Sequence, residues 1–299
     1  MDTALLLESS TKILLYAALL VAIGGSALRW VLLPRVLTEL GADRVLIFER
    51  ATARLALLAA GVALAASALR VWTHTVSVFG FEGARSWDTI KLIALQSRWG
   101  HGWKPQIIAA LILVLASAAT VWRRAAWPLA TLAVAIFTVT IPLLGHAAGS
   151  NYRLALHAVH ILAAGVWLGT LAAIVCIRVP STAVSIGPPV PVEKMRLMIL
   201  RRFSPLAIFG AAVVTAAGLV AAYTYLGAVS NLWLTGYGRV LVLKVALVGA
   251  VLLCGFTNWR RLHRFRVEEL SSRSIILLEV ALAVAVVVVT GFLTETGHP

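Results

Sequence analysis

Residues 155–169 read ALHAVHILAAGVWLG. The stretch is apolar apart from His157 and His160, and it belongs to an apolar run from about 153 to 177. Crossing the ~30 Å hydrocarbon core of a bilayer takes about 20 apolar residues in a helix, so this run is long enough to span. Positions i and i+3 share a helix face. The run therefore predicts a membrane helix that carries two imidazoles on one side.

The same pattern recurs along the chain. Apolar runs lie near 12–33, 53–73, 105–122, 126–145, 153–177, 199–226, 238–257 and 274–293, the third being the shortest. Lipid offers no partner to backbone N–H and C=O groups, so each run must satisfy its own as a helix. The expected fold is all-α, a polytopic transmembrane bundle of about eight helices. Composition agrees: 61% of the 299 residues are hydrophobic, 13% are charged, and mean hydropathy is +0.93. A soluble domain carries about a quarter charged residues.

The net charge of +14 is explained by the positive-inside rule rather than by nucleic acid. Segments following odd-numbered helices hold sixteen Lys and Arg residues, against six after even-numbered ones. Odd loops are thus expected in the cytoplasm and both termini outside. The N-terminus, MDTALLLESSTK, is acidic before it is basic, unlike a secretory signal, so the first run is expected to remain as a helix. On this topology His74, His101, His146, His157, His160 and His298 fall toward the outer side, and His263 alone toward the inner.

Between the second and third runs, SVFGFEGARSWDTIKLIALQSRWGHGW (77–103) is too polar to span. Its Trp87, Ile90, Leu92, Ile93, Trp99 and Trp103 are expected on the bilayer surface, where indole rings are favoured. The proline-rich segment Val179–Arg196 reads as an irregular cytoplasmic linker. No Walker A motif, Gly-rich nucleotide fingerprint or Ser/His/Asp pattern is present, so neither ATP-driven pumping nor enzymatic activity is expected.

Polar residues inside apolar runs are the candidate functional groups. Neutral imidazole ligates copper, zinc or haem iron. His146, in LLGHAAG, ends the fourth helix on the side where His157 and His160 begin the fifth. A short connection makes the two helices antiparallel neighbours, so the three imidazoles are candidate metal ligands. The alternative for each is an interfacial histidine bonded to water or a carbonyl. Lys244, in YGRVLVLKVALVG, gates a cation, binds an anion, or simply snorkels to the interface. Glu279, in SIILLEVALAV, does not match its depth, and Arg201, Arg202 or Arg273 are the expected counter-ions. Cys176 and Cys254, with Met195 and Met198, fall toward the inner side, where they are either a soft Cu(I) exit site or packing. Asn258 is expected to cap the end of the seventh helix.

Several of these residues stand in a familiar order. Arg202-Phe203-Ser204, Gly218, Tyr237-Gly238 with Leu241 and Lys244, Asn258 followed by Arg260, and Glu279 resemble the CopD family of bacterial copper-resistance membrane proteins. Gly145-His146-Ala147 and His157 followed by Trp167-Leu168-Gly169 extend the likeness upstream. It covers residues 145–299 well, which suggests a C-terminal CopD-like half (145–299) and an N-terminal four-helix half (1–144). The resemblance implies an inner-membrane protein of copper homeostasis that moves copper, as Cu(I) or Cu(II), usually inward, often with a periplasmic CopC-like protein. The chain departs from a thioether conduit in having only three methionines. Two other readings stay open: a b-type haem protein, and a non-catalytic membrane partner of a copper chaperone.

Overall fold

The computed structural model describes residues 3–145, 149–177, 191–264 and 273–296. Its eight helices long and apolar enough to cross a membrane are α1 (Thr3–Arg35), α2 (Ala42–Gly83), α3 (Arg98–Trp122), α4 (Arg124–Leu144), α5 (Asn151–Cys176), α6 (Val192–Leu226), α7 (Gly236–Leu262) and α8 (Ile276–Leu293). Among the described residues there is no strand. The helices run past the apolar stretches read from sequence. α2 begins at Ala42 and α3 at Arg98, because Arg44, Arg50, Arg54 and Lys104 continue the helix beyond its hydrocarbon-length segment.

The bundle is apolar outside and mixed inside, as lipid requires. Leu58, Leu115, Leu129, Phe209 and Leu253 are all more than 60% exposed, whereas Ser67, Thr52, Gln106, Thr138 and Thr170 are fully buried. The buried hydroxyls of Thr52 and Thr138 donate to carbonyls one turn back, at 2.7 and 2.8 Å, so their helices absorb them without inter-helix partners.

α1 is the central helix. It packs against α2, α4, α5 and α8. α5 packs in turn on α6, α6 on α7, α7 on α8, and α8 returns to α1. These five spans close a ring. Its tightest joint is α1 against α5, where glycines remove the side chains that would hold the backbones apart. A Cβ at Gly169 would lie 1.8 Å from the Leu20 carbonyl oxygen, and one at Gly24 would lie 2.1 Å from the Gly169 carbonyl carbon. Small residues allow this close approach in membranes, where van der Waals packing, rather than the hydrophobic effect, holds helices together. Between Gly165 and Gly169 the α5 backbone widens into a π-helical turn, a feature frequent at functional sites.

Charged pairs fasten the two ends. At one end Glu49, 2% exposed, lies between Arg29 (3.0 Å) and Arg124 (Nε at 2.9 Å, Nη2 at 2.6 Å), which joins α1, α2 and the start of α4. Arg202 of α6 pairs with Glu39 at that end. At the other end Lys12 of α1 pairs with Glu295 beyond α8 at 2.7 Å, and Glu8 binds His74 of α2 at 2.8 Å.

The segment between α2 and α3 differs in part from the sequence reading. A short helix, Trp87–Lys91, does expose Trp87, and Leu92 and Leu95 that follow it are also exposed. Ile93, however, is buried. Trp99 stacks on His74 (centroids 4.4 Å apart, planes 12° apart), and Trp103 donates to the Ser67 carbonyl at 2.8 Å. These two indoles pack into the bundle because α3 starts about two turns earlier than its apolar run and carries them against α2. Most of the predicted linker, residues 178–190, lies outside the described residues.

The α1–α5 joint gives a direct test. Gly169→Ala forces the two backbones apart and is expected to destabilise the protein by about 1–3 kcal/mol or more. Gly61→Ala, on α2 with nothing within 4 Å of the new Cβ, is expected to be neutral or slightly stabilising. Thermal unfolding of both variants in mild detergent measures the contrast.

Candidate metal centre

The ring encloses a cavity of about 210 Å³. Each helix contributes one face of it. α5 presents His157, His160, Ile161, Ala164 and Trp167; α6 presents Val214, Gly218, Ala221 and Tyr225; α7 presents Tyr237, Leu241, Lys244 and Val248. Spacings of three and four residues put each set on one side of its helix. α1 adds Lys12 and Tyr16, α2 adds Arg70, α8 adds Thr290, and Thr294 follows just after it. The cavity therefore occupies the end of the bundle that carries both termini and the start of α5.

His157 and His160 do share a face, and both line this cavity. His157 Nε2 and the Tyr225 hydroxyl are hydrogen-bonded at 3.1 Å. The Arg153 guanidinium lies over the Tyr225 ring, 5.4 Å from its centroid. His160 packs on α6 where Gly218 leaves room: a Cβ there would come within 3.3 Å of His160 Cε1. Its Nδ1 is buried and makes no well-aligned hydrogen bond among the described residues, the Val214 backbone being the polar group beside the ring. A buried nitrogen without a well-aligned hydrogen bond is costly, which suits a ligand position. His146 lies outside the described residues. Among the described residues no three His, Cys, Asp or Glu side chains stand together as a metal-ion set. His157 and His160 stand on one helix rather than opposing each other across the bundle, and the cavity is smaller than the ~300–1,000 Å³ of sites for drug-sized ligands.

Three cationic side chains line the same cavity, and they differ in their partners. Lys12 is engaged by Glu295 and by the Thr294 carbonyl at 3.2 Å. Arg70, buried, reaches Gln106 Oε1 at 3.5 Å and lies 5.8 Å from the Trp99 ring centroid. Lys244 has no hydrogen bond or ion pair among the described residues. A lysine at mid-bilayer costs about 2.5–3.5 kcal/mol on insertion scales. Lys12, Tyr16, Arg70 and the tyrosines were not read from sequence as site residues; the signal for Lys12 and Arg70 is an ionisable residue inside an apolar run.

A second cavity, of about 750 Å³, lies toward the other end between α5, α6, α7 and α8. Trp167, at the π-helical turn, lines both. Glu279 and Asn258 face this second space. Glu279 is 5% exposed, and its Oε2 accepts a hydrogen bond of 2.6 Å from Asn258 Nδ2. This corrects two expectations. Glu279 takes a neighbour on α7 at its own depth, while Arg202 is committed to Glu39; the Arg273 side chain lies outside the described residues. Asn258 bonds across to α8 rather than capping α7, whose helix continues past it to Leu262. Gly255, one turn earlier, leaves space for the carboxyl: a Cβ there would lie 3.2 Å from Glu279 Oε1.

Cys176 is exposed and Cys254 half-buried, both as free thiols, and neither lines either cavity. Met195 is buried in the apolar core with Met198 packed against it. In the described structure these sulfurs lie outside both cavities.

Eight spans with imidazoles and cations turned inward define a polytopic α-helical membrane protein with a polar interior cavity. Residues 197–293 match the family model for copper resistance protein D (CopD), and residues 6–152 match that for the copper resistance protein D-like N-terminal domain. The chain belongs to this family of copper-resistance membrane proteins. No curated protein and no solved structure gives a significant match.

The Asn258–Glu279 contact is separable from the rest. Asn258→Leu strands a buried carboxyl and is expected to cost about 1–3 kcal/mol. Glu279→Leu in the same chain removes the stranded group and is expected to recover part of that loss. Unfolding of the two single variants and the double variant closes the cycle.

Proposed function

We propose that the protein carries copper across the bacterial inner membrane, inward rather than outward, and that His157 and His160 receive the ion at the entrance cavity. The observation that carries this reading is the pair of imidazoles on one cavity face, with His160 Nδ1 buried and without a well-aligned hydrogen bond among the described residues. Family membership supplies the metal. Imidazole accepts both Cu(I) and Cu(II), so the scarcity of methionine is no obstacle. His146 is proposed as a third ligand from its position in the sequence.

Orientation follows from charge. The excess of Lys and Arg in the loops after odd helices supports a cytoplasmic location for them, which puts both termini and the His157/His160 cavity on the periplasmic side. A separate periplasmic copper-binding protein of the CopC kind is the proposed donor. From the entrance cavity the ion passes Trp167 and enters the second cavity, where Glu279 and Asn258 supply oxygen ligands. The role is transport, with no chemical transformation of the cargo.

Copper uptake into proteoliposomes tests the reading. His157→Ala/His160→Ala is expected to lower the initial rate at least ~10-fold, since loss of even a ligand's hydrogen-bond partner costs about 10–100-fold, while unfolding in detergent stays close to that of the parent. Tyr225→Phe, which removes only the hydroxyl bonded to His157, is expected to have a smaller effect. Uptake unchanged in the double variant refutes the entry site.

A further inference from the structure

The cavity that holds the two histidines is lined by cations and not by acids. Lys12, Arg70 and Lys244 all face it, and among the described residues that line it none is Asp or Glu. Lys12 is neutralised by Glu295 just outside. Arg70 has an amide and an indole face, and Glu295 and Glu8 compensate its charge from beyond ion-pair distance. Lys244 has no counter-ion among the described residues and points into the same space as His157 and His160. A copper ion entering alone would add positive charge beside an uncompensated ammonium in a medium of low dielectric, where that repulsion is strongest. A compact anion removes the conflict and also bonds to copper through its lone pairs.

We propose that Lys244 seats a small monoanion, halide or short carboxylate, next to His157 and His160, so that the cavity accepts copper together with an anion as a charge-compensated pair. The anion site stands on the cavity alone; its pairing with copper rests on the transport reading above. Lys244 supplies up to three N–H donors. Tyr225 and Tyr237 add hydroxyls to the same lining, whereas the Thr290 hydroxyl donates to the Val286 carbonyl at 2.7 Å. Size sets the class of anion. A protein cavity of about 150 Å³ holds benzene, so about 210 Å³ accommodates a copper ion with chloride, formate or acetate, but not with a polyhydroxylated carboxylate such as gluconate.

The test uses the full-length protein in mild detergent, first without copper. Its unfolding midpoint is followed in sodium chloride, formate and acetate against sodium gluconate at equal ionic strength. A ligand that binds only the folded state raises the midpoint in a saturable way. A saturable rise with the compact anions and none with gluconate is expected in the parent and in Lys91→Met, an exposed control. Loss of the rise is expected in Lys244→Met, with recovery in Lys244→Arg. The ranking of chloride against the carboxylates identifies which compact anion the site prefers. Equal midpoints in all four salts, or a rise that persists in Lys244→Met, overturn the proposal; the parent series alone decides it if Lys244→Met fails to fold. Linkage is reciprocal, so adding Cu(II) is expected to lower the half-effective formate or acetate concentration by about fivefold or more. No shift with copper that demonstrably binds overturns the pairing. Copper that binds in none of the salts overturns the transport reading and leaves the anion result standing.

Discussion

The contact between α1 and α5 at Gly24, Gly165 and Gly169 is the constraint on which the rest depends. In lipid, apolar surface is no better buried against protein than against acyl chains, so a helix pair holds only where its backbones fit. Here the fit is close enough that a methyl group at Gly169 has no place. That joint fixes α1 as a member of the ring with α5, α6, α7 and α8, and it sets the rotation of α5. With the glycines against α1, the His157, His160 and Trp167 side of α5 turns toward the interior, where Gly218 and Gly210 of α6 receive His160 and Trp167.

Once closed, the ring gathers polar groups that would be untenable facing lipid. Each has a different resolution. Glu49 is held by two arginines, Lys12 by Glu295, and Glu279 by Asn258. His160 Nδ1 and Lys244 are left without such partners among the described residues. Structural ion pairs account for the first group. The second group sits together in one cavity, which is why the functional reading concentrates there and not on the more numerous salt bridges.

Much of this was legible in the chain. Span number is a local property of hydrophobic length, and all eight runs became helices. The shared face of His157 and His160 follows from a spacing of three. What escaped was non-local. Helix ends extended past the apolar runs because charged residues such as Arg44 and Lys104 continue a helix outside the hydrocarbon. Trp99 and Trp103 have the composition of an interfacial belt, and only the packing of α3 on α2 reveals His74 and Ser67 as their partners. The partner of Glu279 was sought among arginines, yet a neutral amide 21 positions away in sequence, on the adjacent helix, takes that place. Lys12 and Arg70 lay inside recognised spans, but nothing local says that two different helices aim them at the cavity of α5.

The central claim, that imidazoles of α5 receive copper inside the ring, is tested most directly by X-ray absorption at the copper edge of the loaded full-length protein. The account predicts nitrogen ligation with imidazole multiple scattering, lost in His157→Ala/His160→Ala. Copper bound only through sulfur, with a spectrum unchanged in that variant, would contradict it and move the site to the cysteines and methionines.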